Sequence, residues 1–476
     1  MAVAQRIFKN SFFLFSGHIV AKLLNFLLII LLTRIFSKED FGIFSYSLAF
    51  TSMFMIFCNL GLNTLAIRDI AKDRSCSKAV VEEMFPIIVY LSLLSLGIMN
   101  GIAWLTGWSA YDRSIILMLS FYVVFDAFSR SFISIIRAFE RMEYEAVIYI
   151  SERIFLIVIT LFVGYLHLSL LILVSTYMIF EFIKTLISLI IVKKKLIRFS
   201  VKFYSRNAIL LLKEAIPFAL MAIFTTISMR IDTVMIKIYH SPELAGIYTI
   251  AHRIIESLTF IPENIYNAFF PVVASLFLIN KTKFNLALKN AFRINTILAI
   301  PVVCILLFRA NDIIALIFKP EFYKAASVLK WLALAMFAIF LKYALAVFMN
   351  VAGKQKIFSF YIGLSMVLNI VLNLFLIPKY DLIGAGLATF ASELLTAILG
   401  FLSLRGALSF NILSLNLLRY ITVTAGLIWV FYIMRSLNLF IAVPAALGIY
   451  ILSLFLTKLI KLQDVNYFRQ FNSLRS

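Results

Sequence analysis

Residues 34–44 have the sequence RIFSKEDFGIF, and residues 237–248 have the sequence KIYHSPELAGIY. Each stretch contains a basic residue, an isoleucine, an aromatic residue, a short polar turn with an acid, and then Gly-Ile-aromatic. In both copies the turn joins two long apolar segments. The first turn predicts a capping box formed by Ser37 and Asp40, and the second predicts an N-cap at Ser241 followed by proline at the first helical position. The two stretches therefore indicate an internal duplication of a helical bundle.

The composition is that of a membrane protein. Hydrophobic residues make up 63% of the chain, charged residues make up 14%, and the mean hydropathy is +1.01, far outside the range of soluble domains. Apolar stretches of at least ~18 residues, each long enough to cross a bilayer as a helix, recur from end to end. We predict an all-α polytopic membrane protein with about 14 transmembrane helices. The predicted segments are 11–36, 41–66, 84–107, 114–138, 145–166, 168–192, 211–238, 243–275, 286–308, 326–350, 357–377, 382–404, 417–435 and 439–460.

The distribution of charge predicts the orientation of the chain. The formal net charge is +21, and the basic residues concentrate in alternate loops between the predicted helices. About 26 Lys and Arg lie on one side against about 9 on the other, so the positive-inside rule places the richer side, with both termini, in the cytoplasm. We therefore expect a multi-pass protein of the cell (cytoplasmic) membrane. The positive charge is a topology signal that also favours anionic lipid headgroups, and we expect no nucleic-acid partner.

Several kinds of site have no signature in the sequence. The three cysteines, Cys58, Cys76 and Cys304, are widely spaced and predict neither a disulfide framework nor a metal site. No P-loop, HExxH or GxSxG motif occurs. No stretch between predicted helices exceeds about 20 residues, which leaves no room for a soluble catalytic domain. We therefore expect no cofactor and no enzymatic activity. The N-terminal apolar run is too long for a signal-peptide core and is interrupted by Lys22, so we interpret it as the first spanning helix.

The repeat and the longest polar interruption, residues 193–210, define the predicted domains. Six predicted helices precede this interruption, six follow it, and two more complete the chain. We predict two six-helix bundles around a central cavity plus two C-terminal helices. The boundaries are 1–195 for the N-terminal six-helix bundle, 196–210 for a cytoplasmic linker, 211–406 for the C-terminal six-helix bundle, 412–461 for the two additional transmembrane helices and 462–476 for a cytoplasmic tail. An even number of helices in each half makes the two copies parallel, related by an axis along the membrane normal.

Polar and charged residues inside predicted spans indicate where a site lies. A charge at bilayer depth costs at least ~2.5 kcal/mol, so it needs a partner or a wet cavity. Such residues occur at helical spacing in the first two predicted helices of each half. They are His18, Lys22, Asn25, Asn59 and Asn63 in the first half, and Arg230, Asp232, Arg253 and Glu256 in the second. If these four helices face one another, the polar side chains line a central cavity of net positive charge.

Pairing explains several of these residues nearly as well as cavity lining does. Arg253 and Glu256 lie at i, i+3 and can neutralise each other. The asparagines can form hydrogen bonds between helices, which favours a structural role for them. Glu181 can pair with Lys184, which is also three residues away.

A second charged cluster, in the fourth and fifth predicted helices, predicts gating or structural ion pairs, with substrate contact as the alternative. Its members are Asp126, Arg130, Glu152 and Arg153.

Five stretches in order carry a family resemblance: LTRIFSKEDFGIFS at 32–45, NLGLNTLAIRDIA at 59–71, SMRIDTVMI at 228–236, NVAGKQK at 350–356 and LIPKYDLIGAGLATFASE at 376–393. The chain resembles the polysaccharide (O-antigen type) flippases of the multidrug/oligosaccharidyl-lipid/polysaccharide exporter superfamily. The resemblance runs over essentially the whole chain, including the number of predicted helices. It implies two six-helix bundles around a central cavity, with two extra C-terminal helices.

The resemblance also implies a substrate. Members of this family move an undecaprenyl- or dolichyl-diphosphate-linked oligosaccharide from the inner to the outer leaflet by alternating access. Cationic cavity residues are expected to hold the diphosphate and acidic sugars, and the matching positions here are Lys22, Arg230 and Arg253. The polar residues Asn25, Asn59 and Asn63 complete the predicted substrate-binding set.

The source of energy and two alternatives stay open at this point. No ATP site is visible, so energy would come from an ion gradient or from onward consumption of the lipid. Asp232, Glu256 and His18 are the candidates for binding a coupling cation, H⁺ or Na⁺. One alternative is a cation-coupled multidrug exporter of the same superfamily, which usually has fewer helices. The other is a non-transporting membrane enzyme or an assembly component of polysaccharide synthesis.

Overall fold

The computed structural model describes residues 2–200, 204–205, 207–277, 279–404 and 417–459, with side chains from residue 19 onwards except those of residues 281 and 417. All regular structure in this part of the chain is helical, which confirms the predicted all-α class. Sixteen α-helices occur among these residues: α1 (Ala2–Ile35), α2 (Lys38–Phe54), α3 (Leu62–Lys72), α4 (Ser77–Leu105), α5 (Ala110–Ala138), α6 (Met142–Tyr165), α7 (Leu170–Ile191), α8 (Ala208–Tyr239), α9 (Pro242–Leu258), α10 (Phe260–Phe277), α11 (Lys281–Phe308), α12 (Ala310–Ile317), α13 (Ala325–Val351), α14 (Gln355–Leu404), α15 (Leu417–Ile433) and α16 (Leu439–Leu456).

The lengths of the helices fit a membrane. Ten helices within the described ranges are long and apolar enough to cross a bilayer. The longest, α14, has 50 residues, far more than one span needs, and its backbone leaves helical geometry at Asp381, where φ is 49° and ψ is −129°. Pro378 lies just before this point and lacks the N–H that a continuous helix requires. The sequence predicts a break at the same place, between 357–377 and 382–404. The polytopic membrane class is confirmed, and the number of fourteen spans stays a prediction.

The second predicted helix of each half is interrupted, although a continuous span was predicted for both. In the first half, α2 and α3 are separated by a turn that ends at Gly61, whose φ of 82° lies in the left-handed region that favours glycine. The Asn59 Oδ1 accepts a hydrogen bond from the Gly61 N–H at 3.1 Å and stabilises this turn. In the second half, α9 and α10 separate at Thr259. There, Pro262 cannot donate the hydrogen bond that would reach back to the Leu258 carbonyl.

The two repeated turns form the predicted helix caps. Ser37 Oγ accepts a hydrogen bond from the Asp40 N–H at 3.0 Å and donates one to Asp40 Oδ2 at 2.7 Å, which begins α2. Helix α9 begins at Pro242, and the preceding Ser241 Oγ accepts from the Leu244 N–H at 3.4 Å. Each copy therefore forms a turn between two helices, as predicted.

The glycines of the two repeated stretches contact each other. A Cβ placed on Gly42 would lie 2.1 Å from the carbonyl oxygen of Pro242. A Cβ placed on Gly246 would lie 3.0 Å from the Cα of Gly42. Real Cβ atoms do not approach backbone atoms as closely as a Cβ at position 42 would, so α2 and the start of α9 can touch in this way only if residue 42 is glycine. A Cβ at position 246 would be in a very tight contact with the same stretch. The repeat thus marks the contact between its own two copies.

Packing divides the chain into two compact units. The first consists of Met1–Ser257 with Ile362–Ala388, and the second consists of Leu258–Tyr361 with Thr389–Ser476. In the first unit, α5 packs against α2, α3, α4 and α7, while α2 also packs against α8. In the second unit, α11 packs against α10, α13 and α15. These boundaries differ from those predicted for the two six-helix bundles, which stay a prediction.

Candidate functional site

A cavity of roughly 520 Å³ lies inside the first compact unit, within the size range of small-molecule pockets. Side chains of α1, α2, α5, α6, α8 and α9 line it. Six of the lining residues are basic and two are acidic: Lys22, Arg130, Arg137, Arg153, Arg230 and Arg253, with Asp126 and Glu256. Charged side chains that face lipid cost free energy, so such a wall is suited to contact with water or with an anionic ligand.

One end of the charged wall is built by α8 and α9. Glu256 lies between two arginines: its Oε1 accepts from Arg230 Nη2 at 3.2 Å, and its Oε2 accepts from Arg253 Nη1 at 2.7 Å. Arg253 and Glu256 are neighbours because they are three residues apart on α9, as the spacing predicts. The Nε of Arg253 is buried and has no hydrogen-bond partner among the described residues. Two guanidinium groups therefore share one carboxylate, which leaves a surplus positive charge and a donor that is not used.

The α1 and α6 side of the cavity carries a second set of polar groups. Lys22 and Asn25 project from α1 into the wall. Arg153 on α6 donates from Nη1 to Asn25 Oδ1 at 3.4 Å and pairs through Nη2 with Glu152 Oε1 at 3.2 Å. Arg153 thus connects the cavity to a carboxylate buried behind it.

The predicted ion pairs of the fourth and fifth spans are present, and some of their members also line the cavity. Arg130 Nε donates to Asp126 Oδ2 at 2.6 Å. Behind this pair, Lys184 Nζ lies 3.4 Å from Asp126 Oδ1 and 2.9 Å from Glu152 Oε2. Arg137, also in the wall, pairs with the buried Glu145. The pairing and substrate-contact interpretations of these arginines are therefore compatible.

The structure brings together the cationic residues singled out in the sequence. Lys22, Arg230 and Arg253 all line this cavity, together with Asn25 and Glu256. Basic groups still exceed acidic groups, seven to five, when the charged residues paired directly behind the wall are included. Those residues are Glu145, Glu152, Glu181 and Lys184. The charged groups in and directly behind this wall therefore carry a net positive charge in the described part of the chain.

Asp232 does not line this cavity and is held elsewhere. Its side chain is buried, accepts a hydrogen bond from the Tyr248 hydroxyl at 2.5 Å, and accepts another from Asn373 Nδ2 at 2.6 Å. Asn373 also donates to Asn369 Oδ1 at 3.1 Å. The sequence placed Asp232 in the cavity because Arg230 is close to it along α8, but a separation of two residues turns side chains to different faces of a helix.

Two predicted asparagines are likewise absent from the lining residues. Asn59 stabilises the turn before α3, because its side-chain oxygen caps the Gly61 N–H. The Asn63 Oδ1 is buried without a hydrogen-bond partner in the described ranges. The interruption after α2 displaces both residues from the helical stripe that the sequence predicted. The side chain of His18 lies outside the described residues.

Two tyrosines that line the cavity were missed in the sequence. Tyr122 on α5 and Tyr149 on α6 both contribute to the wall. Tyr122 lies four residues before Asp126, and Tyr149 lies four residues before Arg153, so each shares a helix face with a charged residue that the sequence singled out. Extending those faces by one turn would have found both.

Comparison with known proteins identifies the family. A family model described as "Polysaccharide biosynthesis protein" matches residues 7–277, more than half of the chain, and a second model, "MatE", matches residues 217–375. The chain is similar to "Capsular polysaccharide biosynthesis protein CapF" of Staphylococcus aureus, with 22% identity over 82% of this chain and 97% of that protein. It is also 30% identical to "Probable flippase AglR" of Haloferax volcanii, over 36% of each chain.

A solved structure has the same fold. "Lipid II flippase MurJ, inward closed conformation" superposes with a TM-score of 0.78 at 16% sequence identity, over 95% of this chain and 99% of that one. At this identity the match concerns the fold alone, and it agrees with the all-α membrane architecture described above. The resemblance noted in the sequence is confirmed: the chain belongs to the polysaccharide biosynthesis protein family.

Proposed function

We propose that this protein is a flippase that moves a polyprenyl-diphosphate-linked oligosaccharide across the cytoplasmic membrane and binds the diphosphate–sugar headgroup in the cavity. The observation that carries this proposal is the set of six basic residues around one cavity in a membrane protein. A diphosphate must cross a layer of low dielectric constant, and charge-assisted hydrogen bonds from basic side chains offset the loss of its hydration. Membership of the polysaccharide biosynthesis family supports this substrate class, as do relatives described as a capsular polysaccharide biosynthesis protein and a probable flippase.

Glu256 occupies the position on the two arginines that a bound diphosphate takes. With no substrate, its carboxylate neutralises Arg230 and Arg253 in part and keeps both guanidinium groups oriented. Diphosphate oxygens can replace this carboxylate, because guanidinium groups form charge-assisted hydrogen bonds with phosphate as well as with carboxylate. Lys22 on α1 supplies a further positive charge in the cavity. A headgroup bound in this way contacts helices from both copies of the repeat.

Transport then follows from alternating access. The two predicted six-helix bundles rock against each other, so that the cavity opens first to the inner and then to the outer leaflet. Both termini face the cytoplasm, because the basic loops lie on that side. The protein acts as a transporter rather than an enzyme: the lipid-linked oligosaccharide leaves chemically unchanged.

The function is tested by reconstitution into vesicles that contain a polyprenyl-diphosphate-linked oligosaccharide with a fluorescent sugar. A membrane-impermeant quencher reports how much of the label has reached the outer leaflet. We expect faster exchange in vesicles with the protein than in protein-free vesicles, and slower exchange in the double variant Arg230→Ala, Arg253→Ala. Equal rates in all three preparations would show that the protein does not flip this lipid.

Asp232 is the residue that we propose for the coupling cation. Its buried carboxylate lies next to Asn373, which donates to it from Nδ2 and to Asn369 Oδ1. The Asn373 Oδ1 is buried without a hydrogen-bond partner among the described residues, and carboxylate and amide oxygens are the ligands that a small hard cation such as Na⁺ prefers. We expect Na⁺ to raise the melting temperature of the wild-type protein in detergent relative to choline, and Asp232→Asn to lose this shift. Glu393→Gln, which alters a carboxylate paired with Lys342, serves as the control. An equal Na⁺ shift in wild type and Asp232→Asn would exclude this site.

A cation-coupled drug exporter is the second candidate, because the "MatE" model matches residues 217–375. The charge of the cavity favours the first candidate: a wall of six basic and two acidic residues repels the organic cations that such an exporter would carry. Competition separates the two functions. Farnesyl diphosphate should bind to the purified protein without displacement by an excess of a cationic dye.

A further inference from the structure

Four buried charged residues, Asp126, Glu152, Glu181 and Lys184, form a group that we name the Lys184 cluster; Asp126 belongs to the cavity wall, and the other three lie behind it. They come from three packed helices: Asp126 from α5, Glu152 from α6, and Glu181 and Lys184 from α7. Lys184 Nζ lies 2.5 Å from Glu181 Oε1, 2.9 Å from Glu152 Oε2 and 3.4 Å from Asp126 Oδ1. One ammonium group thus contacts three carboxylates, and each of these side chains is at most 4% exposed.

The three carboxylates are not equally neutralised. Asp126 has a second cation, Arg130, and Glu152 has a second cation, Arg153. For Glu181, the structure gives Lys184 and the Ser129 hydroxyl, which donates to Oε1 at 3.1 Å. The other oxygen of Glu181, Oε2, is buried and has no hydrogen-bond partner among the described residues. Glu181 is therefore the carboxylate whose negative charge is least compensated.

The groups around Glu181 add to this imbalance. From α5 it faces Tyr122, Asp126 and Ser129, from α6 it faces Glu152, and on its own helix it faces Lys184. Two of these neighbours are further carboxylates, and only one is a cation. When like charges share a buried site, one of them is favoured to take up a proton.

We propose that Glu181 is a proton-binding site and that an anion in the cavity promotes its protonation. This inference rests on the function proposed above. It assigns a role to a buried group that is not part of the cavity wall.

Arg130 and Arg153 connect anion binding in the cavity to the protonation of Glu181. Both line the cavity, and their side chains are 41% and 24% exposed, whereas their partners Asp126 and Glu152 are buried. A diphosphate in the cavity draws the two guanidinium groups towards itself. Asp126 and Glu152 then depend more strongly on Lys184, and Lys184 compensates Glu181 less. A proton from water binds to Glu181 Oε2 and converts the carboxylate to the neutral acid.

Reciprocal coupling makes the proposal measurable. If anion binding causes the uptake of one proton, then a fall in pH must strengthen anion binding, by at most about tenfold per pH unit. The coupling vanishes when position 181 cannot take up a proton. Glu181→Gln mimics the protonated acid in shape and keeps a carbonyl oxygen for Ser129, so it should bind the anion while losing the proton uptake.

The experiment uses the purified full-length protein in detergent and farnesyl diphosphate as the probe. Proton uptake on binding is measured in weakly buffered solution with a pH dye, and affinity is measured at two pH values. We expect wild type to take up close to one proton more per bound ligand than Glu181→Gln does. Protons that the ligand itself binds or releases are the same in both measurements, so they cancel in this difference. The matched control is Glu393→Gln, which alters another carboxylate paired with a lysine, Lys342, and it should behave as wild type.

Infrared spectroscopy of the wild-type protein tests the site without relying on a variant. Addition of farnesyl diphosphate should produce the carbonyl band of a newly protonated carboxyl group, and Glu181→Gln should lack that band. Binding without this band in wild type, or with equal proton uptake in wild type and Glu181→Gln, would overturn the proton site and leave the flippase function intact. No binding of farnesyl diphosphate at all would instead count against the proposed function, and a pH titration of the same infrared band would then decide whether Glu181 takes up a proton.

Discussion

Replacement of Arg253 with alanine should weaken the binding of farnesyl diphosphate by about tenfold to a hundredfold, since a hydrogen bond to a charged group contributes about 1.5–3 kcal/mol. Arg253 lies in the cavity wall, holds Glu256 at 2.7 Å and has a buried Nε without a hydrogen-bond partner in the described ranges. Its loss removes two donors and the surplus positive charge that attracts the anion. Arg253→Lys should recover part of the affinity, because it restores the charge but not the planar pair of donors. Binding is measured by calorimetry in detergent.

The neighbouring carboxylate provides a control of opposite sign. Glu256 competes with the diphosphate for Arg230 and Arg253, so Glu256→Gln should bind farnesyl diphosphate more tightly than wild type. Both variants should be compared with wild type for thermal stability, because Glu256→Gln leaves two arginines side by side. If both variants weaken binding equally at unchanged stability, the three residues act as a structural network and not as an anion site.

Gly42→Ala should destabilise the protein strongly. The new Cβ would meet the carbonyl oxygen of Pro242 at 2.1 Å, and a backbone atom cannot move aside as the end of a side chain can. Overpacking typically costs about 1–3 kcal/mol, and we expect the upper end of that range here, with α2 forced away from α9. The measurement is thermal unfolding in detergent, followed by the fluorescence of a thiol-reactive dye on the buried cysteines.

Gly97→Ala is the matched control for this prediction. Gly97 lies inside α4, and a Cβ built there has nothing within 4 Å. Alanine is preferred over glycine in a helix by about 1 kcal/mol, so this variant should be as stable as wild type or more stable. If Gly42→Ala and Gly97→Ala unfold at the same temperature, the two repeated stretches do not touch in the native protein.

The sequence predicted the features that depend on short-range spacing. The cap at Ser37, the pair Arg253–Glu256 and the pair Asp126–Arg130 all join residues within four positions, where helix geometry alone determines proximity. The cationic set was predicted for a related reason: charge is costly in lipid, so it points inward to a cavity.

The features that the sequence did not predict depend on contacts between distant helices. Lys184 reaches Glu152 across 32 positions, and Arg230 reaches Glu256 across 26. The periodicity of the sequence shows which residues share one face of a helix, but it does not show how two helices are rotated relative to each other. The partners of Lys184 and Arg230 on other helices could therefore not be predicted. The interruption after α2 was missed because Leu60 takes a positive φ of 42°, which side-chain type does not signal, and it removed Asn59 from the predicted stripe.

The binding of the headgroup in the cavity is tested most directly by an experimental structure of the protein with a bound polyprenyl diphosphate. We expect density for the diphosphate inside the cavity, within hydrogen-bond distance of Arg230 and Arg253, with the Glu256 carboxylate displaced from at least one of them. Density for the diphosphate elsewhere on the protein, with Glu256 still bound to both arginines, would contradict it.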